Sequence, residues 1–204
     1  MTQSLQWSEV TKKVFNGIVL YALAGILLGI FDPIESLVST GDTLASLAGV
    51  QNASGGAGSF LSIFCYIFQA GLILGCILIF VGLTGFKDIL DGADQKAIGK
   101  VRLAYILVLI GVAVDFIPLM GWISTILGII AFIYMLLGYS ALKSSSTFPE
   151  LARGGASLLF VALILLIVGE VVDFIPFAGD ILQGILNIVA YILIFVGWKK
   201  IKDA

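Results

Sequence analysis

The chain has 204 residues, 60% hydrophobic and 12% charged, with 11 basic and 13 acidic side chains and no histidine; its mean hydropathy is +1.13. A soluble domain carries about 25% charged residues, so this composition argues against a soluble enzyme, and a net charge of −2 without a basic block argues against a disordered or nucleic-acid-binding chain. Imidazole chemistry and the usual zinc sites fall away with histidine, and an integral membrane protein remains.

A helix crosses the hydrocarbon in about 20 residues, and six apolar stretches qualify: 14–31, 60–83, 103–117, 119–139, 156–172 and 176–198. The first follows Lys12 and Lys13 and resembles a signal peptide. Its apolar run of about 18 residues is longer than an h-region and no A-x-A site follows, so it is expected to be a retained helix. Asp32-Pro33 then turns the chain. In the connection, Ile34, Leu37 and Val38, then Leu44, Leu47 and Ala48, recur at helical spacing and predict short amphipathic helices on the outer surface. Gly25-x-x-x-Gly29 in the first span and Gly71-x-x-x-Gly75 in the second form small-residue stripes. Such stripes let helix backbones approach closely, inside the bundle in the first instance, with a dimer face as the other use. Cys65 and Cys76 share the second span about 16 Å apart along its axis. That is too far for a disulfide, so both read as buried thiols. Farther on, Asp91-Gly92-Ala93-Asp94 reads as an N-cap before a short amphipathic stretch ending at Lys100. Spans three and four are separated by Asp115-Phe116-Ile117-Pro118, and five and six by Asp173-Phe174-Ile175-Pro176. One helix over 103–139 would be on the order of 55 Å long, against a core of about 30 Å, so each pair is two antiparallel spans.

The charges agree with six spans. Lys12 and Lys13 precede the first; Lys87, Lys96, Lys100 and Arg102 separate the second and third; Lys143 and Arg153 separate the fourth and fifth; Lys199, Lys200 and Lys202 follow the sixth. Together these are every basic residue in the chain. The opposite side carries Asp32, Glu35, Asp42, Asp115, Asp173 and Asp180, with Glu170 just beneath. The positive-inside rule then predicts a multi-pass protein of the inner membrane with both termini in the cytoplasm. Trp7, Trp122 and Trp198 fall near the expected boundaries, where an indole suits the interface.

Self-similarity organises the whole chain. Gly111-Val-Ala-Val-Asp115-Phe-Ile-Pro118-Leu-Met-Gly121 matches Gly169-Glu-Val-Val-Asp173-Phe-Ile-Pro176-Phe-Ala-Gly179 at a constant offset of 58 residues. Gly29-Ile-Phe-Asp32-Pro33 reads as a degenerate first copy. The second helix of each unit ends alike, with Gly82, Gly138 and Gly197 each followed five positions later by Lys87, Lys143 and Lys202. The expected fold is all-α: six transmembrane helices as three repeated hairpins (about 13–88, 100–144 and 153–204) in a single transmembrane domain. Two-span repeats share one orientation, so a pseudo-threefold axis along the membrane normal is the simplest arrangement and a row of hairpins the alternative.

At the turns, Pro33, Pro118 and Pro176 suit the first turn of a returning helix, with the preceding Asp capping its amides. The other reading makes Asp32, Asp115 and Asp173 an acidic ring at an outer mouth, with Glu170 beneath it, on a path for a cation or small solute. No catalytic constellation or cofactor motif is present, and the expectation is a protein that is not an enzyme. Its partners are the lipid bilayer and other membrane subunits or a second copy of itself, with no nucleic acid. The layout resembles that of the small bacterial HdeD-type acid-resistance membrane proteins, built of two-helix units with a Pro at the outer turn and a Gly followed by a basic residue at the inner end. That group tends to have Trp-Pro at its turns, and no functional residue is carried over. The sparse polarity of the spans and the short loops predict an accessory, structural or envelope-stress protein, with a small channel or transporter as the alternative.

Overall fold

The computed structural model describes residues 3–47, 57–115, 117, 119–175 and 179–204. It contains six helices long and apolar enough to cross a membrane: α1 (Gln3–Leu47), α2 (Ala57–Leu83), α3 (Gly92–Asp115), α4 (Gly121–Lys143), α5 (Glu150–Val172) and α6 (Gly179–Lys202), with a 3-10 turn at Thr84–Asp88. The protein is an all-α integral membrane protein. α1 packs on α2, α3 on α4 and α5 on α6; α6 also returns onto α1, α4 touches α5, and α2 meets α3 more sparsely. This order of contacts closes the helices into a ring, so the three hairpins surround an axis and do not form a row.

Lipid tails are as apolar as the helices, so association rests on close van der Waals packing, which small residues permit. The three glycines near the ends of the second helices do this in each hairpin. A Cβ on Gly82 would lie 2.7 Å from the Val14 backbone, one on Gly138 2.5 Å from Val101, and one on Gly197 2.9 Å from Leu159. Val14, Val101 and Leu159 are all fully buried and hold corresponding places in α1, α3 and α5. One turn on come Ile18, Tyr105 and Leu163, all buried. Tyr21, Val108 and Leu166 follow and line one central cavity of about 180 Å³. α1, α3 and α5 thus each contribute to that cavity, with Tyr21 from the first, Tyr105 and Val108 from the second and Leu159, Leu163 and Leu166 from the third.

The first connection corrects the sequence reading. Pro33 lies inside α1 and not in a turn, and α1 runs unbroken through the region expected to hold separate short helices. At 45 residues it is about 68 Å long and extends beyond the hydrocarbon. Proline removes one amide and crowds the carbonyl four residues back. Here that carbonyl belongs to Gly29, and both Gly29 and Pro33 pack on Gly184 of α6, where a Cβ would come within 2.6 Å of the Gly29 oxygen and 2.7 Å of Pro33 Cγ. The register explains the mistake. Counting from Val14, Val101 and Leu159, the residue matching Asp115 and Asp173 is Leu28, so Asp32-Pro33 sits one helical turn beyond the repeated turn.

Two further expectations change. The stretch up to Lys100, read as lying ahead of the third span, is continuous with it as the first turns of α3; Asp94 is buried and accepts a 2.7 Å hydrogen bond from Thr147 Oγ1. Trp198 is fully buried instead of lying at a lipid interface. It belongs to an aromatic group at the basic end, with Phe86 6.5 Å away and Trp7 packed edge-on against Phe86 and Phe148 at 5.7 and 5.8 Å. The Trp7 indole donates to the Ile201 carbonyl at 3.1 Å, tying the start of α1 to the end of α6.

Candidate functional site

The polar chemistry gathers at the acidic end. Because α1 continues past Pro33, Asp32, Glu35 and Ser36 fall within one turn of helix, at spacings that share a face. Ser36 Oγ donates to the Asp180 carboxylate in the first turn of α6, and Ser62 Oγ on α2 donates to Glu35. Cys65, one turn beyond Ser62 on α2, is 3% exposed, and its sulfur and one oxygen each of Asp32 and Glu35 lie within 4.8 Å of one another. Between α1 and the α5–α6 hairpin is a cavity of about 250 Å³ lined by Asp32, Ser36, Asp173, Asp180, Gln183 and Asn187. The Asn187 Oδ1 atom is buried and has no hydrogen-bond partner among the described residues.

Glu170 is exposed and accepts a 3.3 Å hydrogen bond from Gln183 Nε2. Its spacing places it one turn beyond Leu166 on α5, at the acidic end of the stripe Leu159–Leu163–Leu166. Every basic residue of the chain lies toward the other end. The basic side chains that could neutralise Asp32, Glu35, Asp173 and Asp180 therefore lie toward the far end of the bundle. Two carboxylates and a thiol at one point form a mixed oxygen and sulfur donor set, chemistry that suits a divalent cation of borderline softness.

Toward the basic end the interior closes. Trp198, Phe86, Phe148, Ile18, Ile79 and Leu83 are all fully buried, and they fill the cross-section with apolar atoms. Four tyrosines stand on four different helices: Tyr105 and Tyr139 are buried, and Tyr21 and Tyr191 are partly buried against the core. Tyr21 and Tyr191 meet edge-on with ring centroids 5.4 Å apart.

No family model, curated protein or solved structure matches this chain. Its chemistry rests on the placement of its own residues. Of the sequence candidates, Asp32 and Asp173 line one cavity, and Glu170 lies one turn from Asp173 in α5. Asp115 closes α3, its side chain falling outside the description, as do Pro118 and Pro176. The four stripe glycines all serve packing within the bundle. A Cβ on Gly25 would enter the Tyr191 ring at 2.3 Å, one on Gly29 would meet Ile188 at 2.9 Å, one on Gly75 the Tyr21 backbone at 2.8 Å, and one on Gly71 Ala24 at 3.1 Å.

Sequence reasoning missed the union of Cys65 with Asp32 and Glu35, and it missed the tyrosines. The first was hidden by ending α1 at Pro33, since only a continuing helix places Glu35 one turn above Asp32. The second left a partial signal: Tyr21 and Tyr191 stand well inside their spans, away from the interface where lipid-facing tyrosines belong.

Proposed function

We propose that this protein is a non-enzymatic, polytopic inner-membrane protein with both termini in the cytoplasm, acting as an accessory or structural subunit of a membrane assembly or in envelope stress. The observation behind this reading is the fully buried apolar and aromatic packing of Trp198, Phe86, Phe148, Ile18, Ile79 and Leu83 toward the basic end of the bundle, among the described residues. The positive-inside distribution of charge supports the orientation, and the layout resemblance to HdeD-type proteins agrees with a stress-related role. The purified protein in liposomes is expected to pass no K⁺, Na⁺ or Ca²⁺ above protein-free vesicles, and mild-detergent purification from native membranes to retain the same stoichiometric partner repeatedly. Substrate-dependent flux would overturn this reading.

The gathering of Asp32, Asp173 and Asp180 at one cavity, with Glu170 at the acidic end of the α5 stripe, favours a second reading: a channel or carrier for a cation or small solute, open to the acidic end. On that reading Glu170→Gln with Asp173→Asn should abolish flux or ion binding in the same liposomes. An unchanged signal in the double variant would remove it.

A further inference from the structure

One of the polar cavities at the opposite end of the bundle lies beside the start of α3, apart from the acidic end. It has a volume of about 380 Å³ and lies where the 3-10 turn after α2 meets the first turns of α3, with Lys87, Gln95, Lys96, Gly99 and Arg102 around it. Leu83 and Ile98, both buried, complete its lining. The cavity stands at the foot of the α2–α3 seam, the sparsest contact between neighbouring helices in the ring. Leu83 ends the apolar run of α2, so the cavity sits at headgroup depth.

Three observations point to an anionic occupant. First, the Arg102 guanidinium lies over the Phe80 ring, 5.0 Å from its centroid, and its Nε is buried with no hydrogen-bond partner. A buried donor left unpaired costs about 1–3 kcal/mol, and an acceptor oxygen within the cavity would answer it. Second, Lys87, Lys96 and Arg102 form no salt bridge among the described residues. Asp88 and Asp91 belong to the same connection but do not line the cavity, and Asp94 is engaged by Thr147. Third, Gly99 sits in the interior of α3, where glycine costs about 1 kcal/mol relative to alanine, yet a Cβ there would meet nothing within 4 Å. No close helix crossing calls for glycine at this position; its missing side chain keeps the cavity open.

We propose that this cavity binds a phosphate group, and that its source is the headgroup of an anionic phospholipid at the basic face of the membrane. Lys87 and Lys96 supply mobile positive charge at the rim, and Arg102 supplies a pre-positioned donor fixed over Phe80. A phospholipid whose phosphate sits there can lay its acyl chains along the loosely packed α2–α3 seam. Basic pockets between transmembrane helices are suited to such headgroups.

The test uses the full-length protein in detergent, with native mass spectrometry to count retained lipids and a thermal-shift assay beside it. Phosphatidylglycerol is expected to be retained at one molecule per chain and to raise the melting temperature, and phosphatidylcholine to do neither. Arg102→Gln and Lys96→Gln should each weaken phosphatidylglycerol about fivefold, the attraction an anionic surface exerts on one basic residue; Arg102→Lys should recover part of the loss. Gly99→Leu should block binding without lowering the melting temperature of the lipid-free protein, since its side chain enters open space and replaces a helix-interior glycine. Lys199→Gln with Lys200→Gln, outside the cavity, should leave retention intact. Equal retention of the two lipids, or equal losses from the Lys199 and Lys200 changes, would overturn the site. Binding of millimolar inorganic phosphate without retention of phosphatidylglycerol would overturn the lipid as its source.

Discussion

At Gly184, α6 comes against the Gly29 carbonyl and the Pro33 ring more closely than any side chain allows. A larger residue there must separate α1 from α6 or displace backbone, because neither contact is the flexible tip of a side chain. Gly184→Leu is expected to destabilise the protein by about 1–3 kcal/mol, the usual cost of overpacking. Gly128, where a Cβ meets nothing within 4 Å, provides the contrast: Gly128→Ala should be neutral or stabilising by up to about 1 kcal/mol. Thermal melts of the two variants in the same detergent compare a crossing glycine with a spare one. The thiols make a second residue-scale prediction. Cys65 and Cys76 are 3% and 5% exposed, so a small maleimide should label neither in the folded protein on a timescale of minutes and both after denaturation. Rapid labelling of Cys65 in native protein would contradict its placement beneath Asp32 and Glu35.

Among the elements, α1 departs most from what its sequence suggests. An internal proline costs a soluble helix about 3 kcal/mol or more, yet membrane helices accept it where neighbours compensate. Here Gly184 receives the ring, while Ser36 to Asp180 and Ser62 to Glu35 moor the extension to α6 and α2. Beyond that point Ser39, Thr43 and Ser46 bond back onto carbonyls one turn earlier, so their hydroxyls are satisfied within the helix. Spin labels at Val19→Cys and Thr43→Cys, in a Cys65→Ser, Cys76→Ser background, should lie about 36 Å apart along a continuous helix. A chain reversal at Pro33 would bring them within about 15 Å, and double electron–electron resonance separates the two outcomes.

For the whole molecule, ring closure and charge segregation make linked predictions. Lys96→Cys and Asp173→Cys, each introduced into the cysteine-free chain, should react with a membrane-impermeant maleimide from opposite faces of sealed vesicles. The ring itself depends on the α1–α6 seam, where Trp7 donates to the Ile201 carbonyl at 3.1 Å and Gly29 meets Gly184. Trp7→Phe keeps most of the aromatic packing against Phe86 and Phe148 and removes only the hydrogen bond. A loss of about 1 kcal/mol is expected, read as a modest fall in melting temperature; a drop as large as that for Gly184→Leu would mean that the indole does more than close the ring.

The amino-acid sequence by itself determined the six spans and the grouping of basic residues at one end, because hydrocarbon thickness and the cost of burying charge act on composition within each segment. It also marked Gly82, Gly138 and Gly197 as repeated positions, since hairpins built on the same crossing need the same small residue. Only the tertiary structure decided that Pro33 continues a helix, because the surface receiving its ring comes from Gly184, about 150 residues away in the chain. In the same way it decided that the hairpins close into a ring through α1 and α6, and that Cys65 meets Asp32 and Glu35. Period and hydropathy describe how a helix meets lipid; which helix it meets instead of lipid depends on shape complementarity between distant segments, a property no local window of residues contains.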